Sequence, residues 1–171
     1  MQKTSVILLC IGKKGSGKTY FIKQYLNDYF ARLPRLINDV NNEYGVGEPP
    51  SGEIFIKKSL QFTDGVIVYE EATSLFGYQR DDATASVITR SRHKGTCLIF
   101  SFHSFADVPR YIARNADFLV IFKTGDVHED VAKKFGRNNK PVLNAFADIY
   151  FAEMLIGESG FKYSPKKIIK L

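Results

Sequence analysis

Cysteine is scarce in this chain of 171 residues, occurring only as Cys10 and Cys97. Both lie inside apolar runs and read as small buried hydrophobes, so a disulfide scaffold is excluded as the source of stability. No Cys/His spacing suggests a metal cage. Long apolar runs are missing as well. A membrane helix needs about 18 or more apolar residues in succession, and the N-terminal stretch Ser5-Val6-Ile7-Leu8-Leu9-Cys10-Ile11 falls well short. That stretch also lacks the small-residue cleavage site of a signal peptide. A cytoplasmic location is the expectation that follows. Neither an internal repeat nor a dividing linker is present, so residues 1–171 are expected to form one domain with a basic C-terminal tail at about 161–171.

Acidic residues are few in two places. Between Ile88 and Asn115 the single acid Asp107 stands against Arg90, Arg92, Lys94, Arg110 and Arg114. The tail from Phe161 to Leu171 holds Lys162, Lys166, Lys167 and Lys170 with no acid. The net charge of +6 is thus unevenly placed, which suits a polyanionic partner, although a solvated basic face would look the same. With 44% hydrophobic and 25% charged residues, the chain otherwise has the make-up of a soluble globular domain able to bury a full core.

What is present is a series of short, continuous apolar runs. Residues 4–11, Leu36-Ile37, Val66–Tyr69, Cys97–Phe100 and Phe118–Phe122 read as buried strands, and Glu53-Ile54-Phe55-Ile56-Lys57 as a further short strand. Phe21, Ile22, Tyr25, Leu26, Tyr29 and Phe30 recur at helical spacing, predicting an amphipathic helix to about Ala31. Residues 81–93, a short segment around Asp107–Arg114, and residues 127–135 and 141–154 are also expected to be helical, with Asp81-Asp82 opening the first of these where the helix dipole favours negative charge. Residues 46–52 read as a loop on their proline and glycine content. The lysine-rich tail reads as weakly ordered or as an arm. Strands alternating with helices, each strand apolar on both faces, imply an α/β fold with a mostly parallel sheet covered on both sides.

Between the first strand and the first helix stands Gly12-Lys13-Lys14-Gly15-Ser16-Gly17-Lys18-Thr19, a full G-x-x-x-x-G-K-[ST] match in the context its mechanism requires. Glycines let backbone N–H groups converge on phosphate oxygens at a helix N-terminus. Lys18 is expected to reach the β- and γ-phosphates of ATP, and Thr19 to hold Mg²⁺. The third strand runs into Glu70-Glu71. Glu70 is assigned to the Mg²⁺ side with Thr19, and Glu71 to polarising the attacking water. The usual metal-side acid is Asp, so the longer Glu70 leaves the division between the two acids open. Two acids beginning a solvated loop is the bland alternative.

Two further strings narrow the reading. Ile37-Asn38-Asp39-Val40-Asn41-Asn42-Glu43-Tyr44 places an acid at the end of strand two and Glu-Tyr after a polar turn. Arg92-His93-Lys94-Gly95-Thr96 precedes strand four, which leads to Ser101-Phe102-His103-Ser104, and Ile112-Ala113-Arg114-Asn115-Ala116-Asp117 precedes strand five. Over roughly residues 4–124 this order resembles the FtsK–HerA superfamily of DNA-pumping ATPases. It looks closest to the branch that packages genomes in membrane-containing phages, archaeal viruses and poxviruses. The resemblance implies a P-loop NTPase three-layer sandwich with a RecA/FtsK-like core. It implies ATP and Mg²⁺ as ligands and double-stranded DNA as the substrate. It also implies a homo-oligomeric ring, a pentamer or hexamer, in the host cytoplasm or virion, with capsid or membrane-associated viral proteins as further partners. In that family a polar residue, usually Gln, ends strand four and senses the γ-phosphate; His103 stands there in this chain. The family also completes each site with an arginine from the neighbouring subunit. Arg92 and Arg114 are the candidates, with Arg90 behind them, and each is open to a plainer role as a DNA contact or ion pair.

The alternative within the superfamily is an assembly ATPase of the filamentous-phage type, which usually carries a membrane segment. A small P-loop kinase is a different class. It needs a lid and an acceptor pocket but no water-polarising Glu71, and the string from Arg90 to Asn115 argues against it. A nucleotide-dependent switch without turnover is the third class, and the Glu70-Glu71 pair argues against that.

Overall fold

The computed structural model describes residues 5–47, 50–77, 82–136, 139–156 and 166–171, without the side chains of 83–84 and 150–156. Its centre is a six-stranded sheet in the order β2-β3-β4-β1-β5-β6. The strands are β1 (Ile7–Ile11), β2 (Arg35–Asn38), β3 (Val66–Tyr69), β4 (Cys97–Phe102), β5 (Phe118–Ile121) and β6 (Lys167–Lys170). All neighbours are parallel except β5 and β6, which run antiparallel. Strands β1, β3 and β4 are buried at every position, which is why the sequence shows them as unbroken apolar runs.

The helices are α1 (Lys18–Tyr29), α2 (Gly52–Gln61), α3 (Asp82–His93), α4 (Arg110–Ala113), α5 (His128–Phe135) and α6 (Lys140–Ile156), with a 3₁₀ turn at Ala72–Ser74. Alternation along the strands divides the core in two. Ile7, Leu9 and Ile11 face a large cluster with Phe55, Val87, Ile112, Val131 and Val142, which α2 to α6 cover. Leu8 and Cys10 face a smaller cluster with Val68, Ile99 and Val120, where Ile22 and Leu26 of α1 are the helical members. The result is a three-layer sandwich with unequal outer layers. No helix among the described residues is long and apolar enough to cross a membrane.

Two expectations are corrected. The segment Glu53–Lys57, read as a strand, lies in helix α2, where Phe55, Ile56 and Ser59 are buried together. Phe55, Ile56 and Ser59 share one helical face at i, i+1 and i+4, and a five-residue window was too short to show that repeat. Glu53 in the first turn, Lys58 in the last, and a Glu53–Lys57 ion pair of 2.7 Å all suit a helix. The second correction is the tail. Lys167–Lys170 is an edge strand, registered Ile121 to Lys167 and Phe118 to Lys170, and the Leu171 N–H donates to the Asp117 carbonyl at 3.0 Å. Ile169 packs on the large cluster while the flanking lysines guard an open sheet edge. Residues 161–165 of the expected tail, Asp81, and Glu48 and Pro49 of the expected loop lie outside the described residues.

Candidate nucleotide site

The site lies at the C-terminal ends of β1, β3 and β4. Because β4 pairs with both β1 and β3, His103 is delivered between the phosphate loop and the acids. The loop is pinned at its start: Gly12 N–H donates to the Phe102 carbonyl at 3.1 Å and Lys13 N–H to the Lys123 carbonyl at 2.7 Å. A Cβ at Gly12 would stand 2.5 Å from the Phe122 β-carbon and 2.6 Å from Ser16 Oγ, so only glycine fits. Gly17 takes φ 94° at the N-cap of α1, a left-handed conformation that turns the chain sharply into the helix. Lys18 is buried, and its ammonium donates to the carbonyls of Gly12 at 2.5 Å and Lys13 at 3.1 Å. Burial lowers its pKa, with the charges of Glu70 and Glu71 pulling the other way. Ser16 Oγ is buried in the loop with no hydrogen-bond partner among the described residues. Such an orphaned hydroxyl suits a loop built to take phosphate oxygens.

Glu70 follows β3 and is buried. Its Oε1 accepts the Thr19 hydroxyl at 3.0 Å and the Tyr44 hydroxyl at 2.8 Å. Its carbonyl accepts the side-chain amide of Asn38 at 3.2 Å. Thr19 and Glu70 therefore offer adjacent hard oxygen donors, the chemistry Mg²⁺ takes when phosphates and water supply its other ligands. No cluster of three or more His, Cys, Asp or Glu able to hold a metal ion occurs among the described residues. Burial, the Glu70 charge and the hydrogen bond to Glu70 push the Tyr44 phenol far above the ordinary tyrosine range, so it remains a donor.

Glu71 turns away from the strand in a left-handed conformation, φ 49° and ψ 50°. A non-glycine residue held there stores about 1–3 kcal/mol and is a mark of functional sites. Its Oε1 accepts the Asn41 amide at 3.0 Å and lies 3.5 Å from His103 Nε2. The Asn41 hydrogen bond, then His103 and Lys14, hold the Glu71 carboxyl below its usual range against the opposing effect of burial. His103 Nδ1 is buried with no partner among the described residues.

The arginines lie elsewhere. Arg92 Nη2 donates to the Asn115 carbonyl at 3.2 Å and to Asp117 Oδ1 at 3.3 Å. Asp117 Oδ2 accepts the N–H of Ile7, so this cluster sits at the start of β1. Arg114 is exposed at the end of α4, on the same edge, and Arg90 is exposed near the end of α3. Five residues of β1, ~13 Å at strand rise, separate that edge from the phosphate loop. The sequence reading assigned no role to Asn38, Asn41 or Tyr44. Their signal was the polar string after β2, but their partners are 26 to 32 residues away.

No protein-family model and no curated protein matches the chain. Solved structures do. The genome-packaging NTPase B204 from Sulfolobus turreted icosahedral virus 2, in complex with ATP-γ-S, is 20% identical with a TM-score of 0.71, over 99% of this chain and 98% of that one. B204, the DNA-packaging ATPase from Sulfolobus turreted icosahedral virus, is 19% identical with a TM-score of 0.69, over 96% of this chain and 97% of that one. The N-terminal domain of zonular occludens toxin from Neisseria meningitidis is 12% identical with a TM-score of 0.52, over 71% and 78%. This chain has the α/β fold of B204 over nearly its whole length, and shares that fold with the toxin domain over a smaller part.

Proposed function

We propose that this chain is an ATP-hydrolysing translocase that packages double-stranded viral DNA, acting as a homo-oligomeric ring. The observation that carries the reading is the Thr19–Glu70 hydrogen bond of 3.0 Å, which brings the phosphate loop and the acidic strand end into one site. In this reading the loop N–H groups and the Lys18 ammonium hold the β- and γ-phosphates. Thr19 and Glu70 hold Mg²⁺, which when bound neutralises charge on the phosphate oxygens. Glu71 accepts a hydrogen bond from water and aligns it on the γ-phosphorus, while Asn41 and His103 fix the direction of its carboxylate. Arg92, Arg114 and Arg90 stand on the opposite strand edge, so an arginine from among them would complete a neighbouring subunit's site rather than its own.

The likeness to B204 over nearly the whole of both chains supports the packaging assignment, and the basic residues from Arg90 to Arg114 suit a partner gripped through its phosphates. The test is ATP hydrolysis measured with and without long double-stranded DNA over a salt series. Stimulation that fades steeply as salt rises is expected, because each neutralised phosphate releases counterions. Hydrolysis indifferent to DNA and salt would remove the translocase reading and leave a nucleotide hydrolase.

A further inference from the structure

We propose that Tyr44 is a positioning residue: its hydroxyl holds the Glu70 carboxylate in register with Thr19 for the Mg²⁺ that accompanies the nucleotide. The inference rests on the magnesium–nucleotide reading of the site.

One oxygen of Glu70 receives two hydroxyl protons, from Thr19 at 3.0 Å and from Tyr44 at 2.8 Å. A threonine hydroxyl that gives its proton to a carboxylate keeps its lone pairs free for a cation. The orientation of Thr19 therefore depends on where Glu70 is held. Glutamate carries one more rotatable bond than the aspartate usual at such strand ends, and that extra freedom must be removed for the carboxylate to keep its place. Tyr44 removes it.

The tyrosine is itself built in. Asp39, 1% exposed at the end of β2, accepts the Glu43 N–H with one oxygen at 2.7 Å and the Tyr44 N–H with the other at 2.8 Å. Lys23 of α1 lies over the Tyr44 ring at 5.4 Å. A continuous chain of bonds thus runs from β2 through Asp39 and Tyr44 to Glu70 and Thr19. The same loop sends Asn41 to Glu71 at 3.0 Å, so one short segment sets both acids. Asp39 is then a brace of that loop, each of its oxygens accepting one backbone N–H.

The test uses Tyr44→Phe, which deletes the hydroxyl and keeps the ring, its backbone N–H and its contact with Lys23. Binding of a non-hydrolysable ATP analogue is titrated in EDTA and then against Mg²⁺, alongside turnover. Metal-free affinity should stay within about twofold of wild type, while the Mg²⁺ concentration for half-effect should rise about tenfold or more, the usual scale for losing a partner of a metal ligand. The ligand-free melting temperature should fall by about 3–12 °C, the scale of one hydrogen bond to a charged group. Asp39→Ala, which frees the loop but leaves the hydroxyl, should show the same displacement of the Mg²⁺ curve. Unchanged Mg²⁺ dependence in Tyr44→Phe overturns the inference, as does a loss of metal-free affinity equal to the loss with metal. If the wild-type chain binds no nucleotide at all, the nucleotide-site reading falls and takes this inference with it, an outcome distinct from the other two.

Discussion

Replacing Lys18 with Ala separates what the phosphate loop does for the fold from what it does for a ligand. The ammonium donates two hydrogen bonds, to the carbonyls of Gly12 and Lys13, and losing bonds to a charged group costs about 1.5–3 kcal/mol each. Burial of that same charge is unfavourable, as the lowered pKa shows, and the substitution relieves it. The two terms oppose, so the ligand-free variant should lie within about 2 kcal/mol of wild type. For a chain of this size that is at most about 4–8 °C in melting temperature. With nucleotide the balance is one-sided. An analogue at a hundred times its Kd stabilises the wild type by about 2.7 kcal/mol, or about 5–11 °C. Two lost charge-assisted bonds to phosphate, about 3 kcal/mol even at the low end, raise Kd about a hundredfold or more. At the same concentration the variant then gains only about 0.4 kcal/mol, under 2 °C. Thermal denaturation followed by fluorescence, with and without magnesium and the analogue, reads both numbers. A variant that keeps the wild-type ligand shift would show that the nucleotide is held elsewhere. A ligand-free drop well beyond 8 °C would make Lys18 a structural residue first.

Glu71→Gln should bind nucleotide nearly normally and lose about two orders of magnitude in turnover, measured by phosphate release; if Glu70→Gln alone stops turnover, the two roles are reversed. Gly12→Ala should cost about 1–3 kcal/mol in a chemical denaturation curve, because the added carbon meets the Phe122 β-carbon at 2.5 Å and β5 cannot withdraw; a cost near zero would contradict the packing described. Burial raises the pKa of both thiols, with Glu70 adding to the effect at Cys10 and Asp117 at Cys97, so both should resist alkylation at neutral pH until the chain unfolds. Mass spectrometry after a timed iodoacetamide pulse checks this, and rapid labelling of native Cys10 would refute it. Mixing an Lys18→Ala chain with an Arg92→Ala or Arg114→Ala chain should restore partial ATPase activity for whichever arginine acts across an interface. No recovery with any arginine variant, including Arg90→Ala, would count against completion in trans.

The parts legible in the sequence were those encoded over a few consecutive residues. Gly12–Thr19 announces its loop because the glycines and Lys18 are needed at fixed spacing, and β1, β3, β4 and β5 show as apolar runs because both of their faces are buried. Glu70 and Glu71 were visible because a strand ends immediately before them. The remainder depends on pairing across the chain. Nothing local to Tyr44 indicates that its hydroxyl meets an acid 26 residues on, and nothing local to Arg92 indicates Asp117, 25 residues on. Helix α2 was misread because Phe55 and Ile56 are as much strand formers as helix residues, and only the core above Phe55 decides between them. The edge strand β6 was missed because its lysines dominate the composition while a single half-buried Ile169 secures its register.

The unequal layers of the sandwich have a consequence for local order. Helix α1, whose first turn holds Lys18 and Thr19, is the only helix among the described residues on its face of the sheet. Ile22 and Leu26 are its fully buried apolar anchors, worth about 1.5–3 kcal/mol each, with Phe21, Tyr25 and Phe30 as a partly exposed aromatic hem. The helices on the other face share a core of 27 buried residues against 10, counted among the described residues. The amides of α1 should then open to hydrogen exchange at a lower free energy than those of β1 and β4 beneath them. A triphosphate held at Lys18 and Thr19 would add its contacts at the end of this lightly anchored helix, so hydrogen exchange in α1 should slow when nucleotide is added.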